Sequence, residues 1–251
     1  MVNQNIKESE NTYMIPLVYD QVNSWGKDDE FFLELLKRTN AKQIADLGCG
    51  TGRLTTHFAK AGYQITAIDP NEEAIEEAKR KPHVEGVTWI LGDSKDLKTN
   101  EFDVVIMTAN VAQVFLTDSS WQEMISNVYR ALKAGGHFVF DTRNPLAKVW
   151  EEWEKDTTPD LAEHPETGEQ LAIYTEYEGF SEDVFTFYEI VKNVQTDEVL
   201  IHEKMQLRFR SQEDITDTLL QVGFTEVQAY DDWQFKQARS ETRSFVFQGV
   251  K

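Results

Sequence analysis

Residues 43–52 read QIADLGCGTG, and everything else in the chain is best read from there. Ile44, Ala45 and Leu47 form a short apolar run suited to a strand buried in a parallel sheet. Gly48, Gly50 and Gly52 follow at alternate positions, and residues 53–61 (RLTTHFAKA) then carry apolar residues at helical spacing. The order is strand, glycine turn, helix. Glycines at such a turn permit positive φ and let a ligand approach the backbone without meeting a Cβ. The start of the helix adds unpaired N–H groups and a partial positive charge beside that ligand.

One strand-helix-strand unit later, residues 65–69 (ITAID) read as a second buried strand ending in a carboxylate. A carboxylate roughly 20 residues past such a turn accepts hydrogen bonds from ribose hydroxyls in a dinucleotide-type crevice. The spacing here is G-x-G-x-G, without the glycine three positions after the second that a dinucleotide fingerprint needs. No Gly-Lys-Ser/Thr follows to make a phosphate loop. Both absences point to a nucleoside ligand that lacks a pyrophosphate.

The heptapeptide Asp46-Leu47-Gly48-Cys49-Gly50-Thr51-Gly52 resembles motif I of the class I S-adenosylmethionine-dependent methyltransferases. The resemblance covers residues 13–141 with specific motifs and 211–250 by pattern alone. It implies S-adenosylmethionine as cofactor and S-adenosylhomocysteine as product. It makes Asp69, followed by Pro70, the carboxylate that bonds both ribose hydroxyls; the alternative is an aspartate that caps the next helix. The pair Gly92-Asp93 matches the family pattern, with Asp93 accepting from the adenine amine and the Ser94 N–H facing a ring nitrogen; capping of a short turn is the other use. Thr108-Ala109-Asn110-Val111 sits where the family lines the sulfonium end, so Ala109 and Asn110 are expected there. This stretch is not Asn-Pro-Pro-Tyr, which argues against nucleobase and glutamine acceptors. Asp46 orders the turn in the family and helps hold the methionine ammonium, directly or through water; ordering of the turn alone is the other reading. Arg53 either pairs with the cofactor carboxylate or is a solvated arginine at a helix start. Tyr19, in the segment Tyr19-Asp20 with Trp25 nearby, reaches the methionine carboxylate in the family or simply packs on the sheet. The expected cofactor site is therefore Tyr19, Asp46, Gly48, Gly50, Gly52, Arg53, Asp69, Pro70, Asp93, Ser94, Ala109 and Asn110.

Composition narrows the partners. The 251 residues carry a net charge of −19. Residues 1–143 hold 15 basic against 21 acidic side chains, and residues 144–251 hold 10 against 23. A nucleic-acid binder needs a basic footprint to displace counterions, and none is visible, so the expected acceptor is a small molecule. No apolar run approaches the ~20 residues that span a bilayer. The polar, acidic start MVNQNIKESEN resembles no targeting segment, so a cytoplasmic protein is expected. Cys49 is the only cysteine, which excludes an intrachain disulfide; a small residue packing behind the loop is favoured over a reactive thiol. The five histidines fall in no metal-ligand or hydrolase pattern, so no metal site is assigned.

The remaining periodicity predicts a doubly wound α/β domain with a mostly parallel sheet, seven-stranded by the resemblance. Two helical stretches, Tyr13 to Asn40, precede the sheet, the second capped by Asp28 or Asp29; in the family such helices lie over the cofactor as a lid. Strands follow at 64–68, 87–91, 102–107 and 137–141, with helices at 53–62, 72–81 and 119–132, the last capped by Asp118, Ser119 or Ser120. Gly135-Gly136 is read as the turn before the fifth strand. Residues 144–210 depart from the pattern: a helix Leu146 to Lys155, a loop Asp156 to Glu169, then three β-like stretches that suggest an antiparallel meander. In the last of these Val199, Ile201, Met205, Leu207 and Phe209 alternate on one face, interrupted by Glu203. The organisation expected is a core of 1–143 and 211–251, with lid helices in 1–40, and an antiparallel β insertion at 144–210 that caps the substrate or forms a homodimer contact.

Methyl transfer from a sulfonium depends mainly on bringing nucleophile and methyl into line. Tyr13, Asp141, Arg143 and His202 are candidate bases near the expected pocket, none in a diagnostic spacing, and no catalytic residue is assigned. The expected function is methyl transfer to a small-molecule nitrogen or oxygen nucleophile. An RNA or protein acceptor, a non-catalytic cofactor-binding protein and a nicotinamide oxidoreductase are the rival readings.

Overall fold

A computed structural model describes residues 14–82 and 84–251. Helices α1 (Pro16–Val22) and α2 (Lys27–Arg38) lead into β1 (Gln43–Leu47), α3 (Arg53–Lys60), β2 (Gln64–Asp69), α4 (Glu72–Arg80) and β3 (Val87–Leu91). Then come β4 (Phe102–Met107), α5 (Asp118–Ala131), β5 (Leu132–Arg143) and the short α6 (Trp150–Trp153). Strands β6 (Asp160–Glu163), β7 (Gln170–Ser181), β8 (Val184–Asn193) and β9 (Val199–Arg208) follow. The chain closes with α7 (Gln212–Val222), β10 (Thr225–Asp231), β11 (Gln234–Gln237) and β12 (Ser244–Val250).

The main sheet has the order β11-β10-β12-β5-β4-β1-β2-β3, parallel from β5 through β3. β12 inserts between β5 and β10 and runs antiparallel to both. The expected seven strands are all present. The eighth, β11, is an edge hairpin partner of β10 entered through Asp232 and Trp233, both at positive φ. β4 is apolar nearly throughout, and β1 is apolar apart from Gln43 and Asp46, because helices cover both faces. One face packs under α5 and α7 around Phe138, Phe140 and Phe247. The other packs under α2 and α3 around Phe32, Leu36 and Phe58.

Several local expectations are corrected. Helix α2 is capped at Gly26, and Asp29 instead reaches back to accept the Gly26 N–H at 2.9 Å. Helix α5 is capped by the Thr117 hydroxyl, which accepts from Ser120 N–H. Gly135 and Gly136 lie inside β5, where a register shift against β4 absorbs the extra residues. The helix expected at Leu146 to Lys155 shrinks to one turn, because Asn144 caps a 3-10 turn at Pro145–Ala147 and Lys148 then takes φ 46°. The expected loop Asp156 to Glu169 contains β6, which pairs with β7.

Strands β6 to β9 form a separate antiparallel sheet in chain order. Its inner face packs on α1 through Leu171, Ile173, Val191 and Met205 against Ile15 and Val18. Farther along the sheet, Phe185 and Phe209 bury beneath α6 with Trp150 and Trp153. This second sheet and α1 together stand over the carboxyl ends of the parallel strands, where an open α/β sheet places its ligands.

Candidate active site

A cavity of about 340 Å³ lies between the two sheets. Its floor is the glycine turn (Gly48, Cys49, Gly50), the start of α3 and the segment Thr108 to Val111 after β4. Its side is α1, and its roof is the inner face of β7 to β9. A larger cleft of about 650 Å³ opens at the amino ends of the strands, around Lys42, Gln64 and Lys133. It holds none of the motif residues and lies on the wrong edge of the sheet for a ligand crevice.

The turn takes its shape from glycine. Gly48, Gly50 and Gly52 have φ of 79°, 54° and 70°. A Cβ on Gly48 would meet Val111 at 2.6 Å, and one on Gly50 would meet Met14 Sδ at 2.9 Å. Beneath the turn, the buried Asp69 carboxylate accepts the Gly50 N–H at 2.7 Å and the Asn71 N–H at 2.9 Å. Asn71, not Asp69, caps the next helix. Asp46 is buried as well: the Thr55 hydroxyl donates to its Oδ2 at 2.6 Å, while its Oδ1 has no hydrogen-bond partner. Burial pushes its carboxyl up to about 6. The Cys49 thiol is likewise pushed well up by burial, so it stays protonated, in keeping with a packing role.

After β4 the chain places two non-glycine residues in succession in the left-handed region, Ala109 at φ 56° and Asn110 at φ 63°. Such conformations cost on the order of 1–3 kcal/mol each and persist only when the surroundings fix them. Asp141, at the end of β5, supplies the restraint: both of its oxygens accept the Asn110 N–H, at 3.1 and 3.0 Å. Burial pushes the Asp141 carboxyl up to about 7. Asn110 Oδ1 is buried without a hydrogen-bond partner.

Of the twelve expected site residues, Tyr19, Gly48, Gly50, Arg53, Ala109 and Asn110 line this one cavity. Asp46, Gly52 and Asp69 are buried behind or beneath its floor. Pro70, Asp93 and Ser94 lie farther along the strand ends, outside the cavity. Asp93 caps a 3-10 turn by accepting the Lys95 N–H at 2.7 Å, and the Ser94 hydroxyl accepts from Asn127 at 3.2 Å. Arg53 is neither solvated nor free: its guanidinium grips Asp29 at 2.7 and 2.9 Å and ties α2 to the glycine turn. Tyr19 points its ring into the cavity region, where burial pushes its hydroxyl up to about 12. Asp20, its neighbour, accepts from the Thr51 hydroxyl at 2.6 Å and pairs with Lys81.

Among the candidate bases, Tyr13 lies outside the described residues. Arg143 lines the cavity, donates to Gln113 at 2.8 Å and stacks over Trp153. His202 is exposed on β9 and packs on Tyr188, away from the cavity. Sequence reasoning missed Asp28, Asp160, Thr175, Glu189 and Gln113 as site neighbours. Only Glu203, the break in the β9 alternation, hinted that the insertion has a polar strip on its inner face.

The residues present fit an adenosyl sulfonium cofactor: the turn leaves no room for a Cβ against Val111 and Met14, which line the same cavity, and unpaired buried oxygens of Asp46 and Asn110 sit at its back and beside it. Comparisons with known proteins agree. Residues 44–136 match the family model of the methyltransferase domain. A methyltransferase of Synechocystis is 30% identical over 136 residues, which are 51% of this chain and 63% of that protein. An S-adenosylmethionine-dependent methyltransferase structure from Clostridium acetobutylicum superposes with a TM-score of 0.74 at 21% identity, over 93% of this chain and 96% of that one. A sugar N-methyltransferase from Streptoalloteichus superposes with a TM-score of 0.72 at 16% identity, over 97% and 96% of the two chains. The chain spans between 50% and 63% of the length of the curated relatives compared first. Residues 44–136 thus carry the methyltransferase-domain pattern, and the chain as a whole shares the fold of a solved S-adenosylmethionine-dependent methyltransferase.

No helix among the described residues is long and apolar enough to cross a membrane. Among the same residues no group of three or more metal-binding side chains comes together.

Proposed function

We propose that the protein transfers the methyl group of S-adenosylmethionine to a nitrogen or oxygen of a small molecule held between the glycine turn and the antiparallel sheet. The observation that carries this reading is the cavity itself. It joins the cofactor motif to the insertion, and its volume of about 340 Å³ suits a small molecule. The sugar N-methyltransferase of similar fold supports a small-molecule acceptor. An RNA acceptor finds no support in a net charge of −19.

When bound, the cofactor supplies a methyl group on a cationic sulfur, which leaves as a neutral thioether. The chain's own work is to bind, align and keep water out. Gly48 and Gly50 give close backbone approach, and Asp69 faces the turn where a ribose would lie. Tyr19, Ala109 and Asn110 surround the methionine end, with Asp46 behind, Arg53 alongside and Gly52 setting the turn. Pro70, Asp93 and Ser94 take the adenine side. Met14, Ile15, Val18, Ile173, Phe187 and Met205 give the cavity apolar walls that exclude water. Alignment of this kind supplies several kcal/mol of catalysis without a dedicated base, and a base is needed only when the nucleophile arrives protonated.

Calorimetric titration with S-adenosylhomocysteine tests binding, and release of S-adenosylhomocysteine from S-adenosylmethionine across a panel of amines and phenols tests turnover. Micromolar binding with turnover of panel members is expected. Absence of binding removes the reading, and binding without any turnover favours a cofactor sensor.

A further inference from the structure

Across the middle of β7 to β9, the inner face of the second sheet carries one polar row between two apolar ones, and Asp160 on β6 extends the Ile173 row with an acid. Thr175 stands opposite Glu189, and Glu189 opposite Glu203. The rows on either side are Ile173–Val191–Ile201 and Tyr177–Phe187–Met205. Like charges directly across an antiparallel pair destabilise a sheet, and here they interrupt a face otherwise given to packing. Burial, reinforced by Asp160, pushes the Glu189 carboxyl up to about 7. Glu189, Thr175 and Asp160 all line the cavity.

The cavity's cations do not answer this charge. Arg53 is committed to Asp29, and Arg143 sits beside Asp141 and donates to Gln113. The charged group that acts on Glu189 is another acid, Asp160. The acids are also not alone in asking for a ligand. Asn110 lines the same cavity with a buried Oδ1 that has no hydrogen-bond partner, and Tyr19 lines it too. Among the described residues lining the cavity, Glu189 in the roof has no cation beside it, and Asn110 in the floor has an unmet oxygen, so the pocket selects its ligand by charge.

We propose that the acceptor is a small organic amine that enters as an ammonium ion, and that Glu189 is the specificity residue that receives it, with Thr175 and Asp160 beside it. The Glu189 carboxylate takes one N–H proton, and the freed nitrogen lone pair then bonds the methyl as the sulfur leaves as a thioether. This deepens the methyl-transfer reading and rests on it only for the ligand's role as acceptor. A neutral alcohol of the same shape leaves the Glu189 charge unpaired in a poorly solvated place, and an anion is repelled.

The full chain, saturated with S-adenosylhomocysteine at pH 8, is titrated by calorimetry with matched probes: benzylamine against benzyl alcohol, and cyclohexylamine against cyclohexanol. Each amine is expected to bind at least ~10-fold more tightly than its alcohol, the span of one charged hydrogen bond. In Glu189→Gln and Glu189→Met that preference falls below about twofold, with alcohol binding and S-adenosylhomocysteine affinity unchanged. Both variants relieve the like-charge opposition, so their thermal midpoints are expected to hold or rise. Equal binding of amine and alcohol, no binding of either amine, or a preference that survives both substitutions overturns the proposal. The S-adenosylhomocysteine titration is read by itself, and the amine titrations are repeated without it, so failure of the cofactor reading is distinguished from failure of the amine.

Discussion

Asp69 receives two backbone N–H groups and lies under Gly50, so its carboxylate shapes the turn, and the proposed ribose contact would be made from there. Hydrogen bonds to a charged acceptor contribute on the order of 1.5–3 kcal/mol. Asp69→Ala is therefore expected to weaken S-adenosylmethionine roughly 10- to 100-fold by calorimetry, and unchanged affinity removes Asp69 from the site. Asp141 works differently. It holds Asn110 in a left-handed conformation at the cavity floor, where the sulfonium is proposed to lie, and Asp141→Ala frees that residue to relax. The expected result is a fall in turnover larger than any fall in cofactor affinity, read as kcat against KM; a loss confined to stability sinks this role. The glycine turn at Gly48 and Gly50, and the turn-capping alternative for Asp93, were legible in sequence because each answers a local backbone demand at a strand end. The use of Asp141 was not, since it depends on a contact 31 residues away.

The elements around the turn are fastened by charge as well as by packing. Arg53 on α3 and Asp29 on α2 form an ion pair in which the aspartate side chain is 1% exposed. Removing one partner of a buried pair strands the other charge, at a cost of about 3–5 kcal/mol. Arg53→Ala is expected to lower the urea midpoint accordingly, and Arg53→Ala with Asp29→Ala to cost less than Arg53→Ala alone; additive losses exclude a buried pair. Helices α3 and α4, and the strands of the parallel sheet, were readable because their apolar periods are strong and their stops are glycine or proline. The short β6 was not, because Asp160–Glu163 carries no alternation of its own and is held only by the β7 ladder. The α6 region misled for the opposite reason: its apolar residues fit a helix period, yet Lys148 at φ 46° breaks it and the two tryptophans pack separately on Phe185.

At the scale of the whole molecule, burial raises the carboxyls of Asp46, Asp141 and Glu189 to about 6, 7 and 7. A carboxyl raised in the folded state binds more protons there than in the unfolded chain, so its stabilisation is complete below pH ~4 and is lost as pH rises toward 7. His57 and His137, lowered by burial, act in the opposite sense near pH 6.5 but are more exposed. The thermal midpoint is expected to fall between pH 5 and 7.5, and to fall less steeply in Glu189→Gln; a rise across that window contradicts the burial of these acids. The sheet order carries a further consequence. During synthesis β5 leaves the ribosome with one edge bare, and its partner β12 arrives roughly a hundred residues later, after the entire antiparallel sheet. Until then the nascent chain presents an apolar, unpaired edge of the kind that chaperones bind and that neighbouring chains can join.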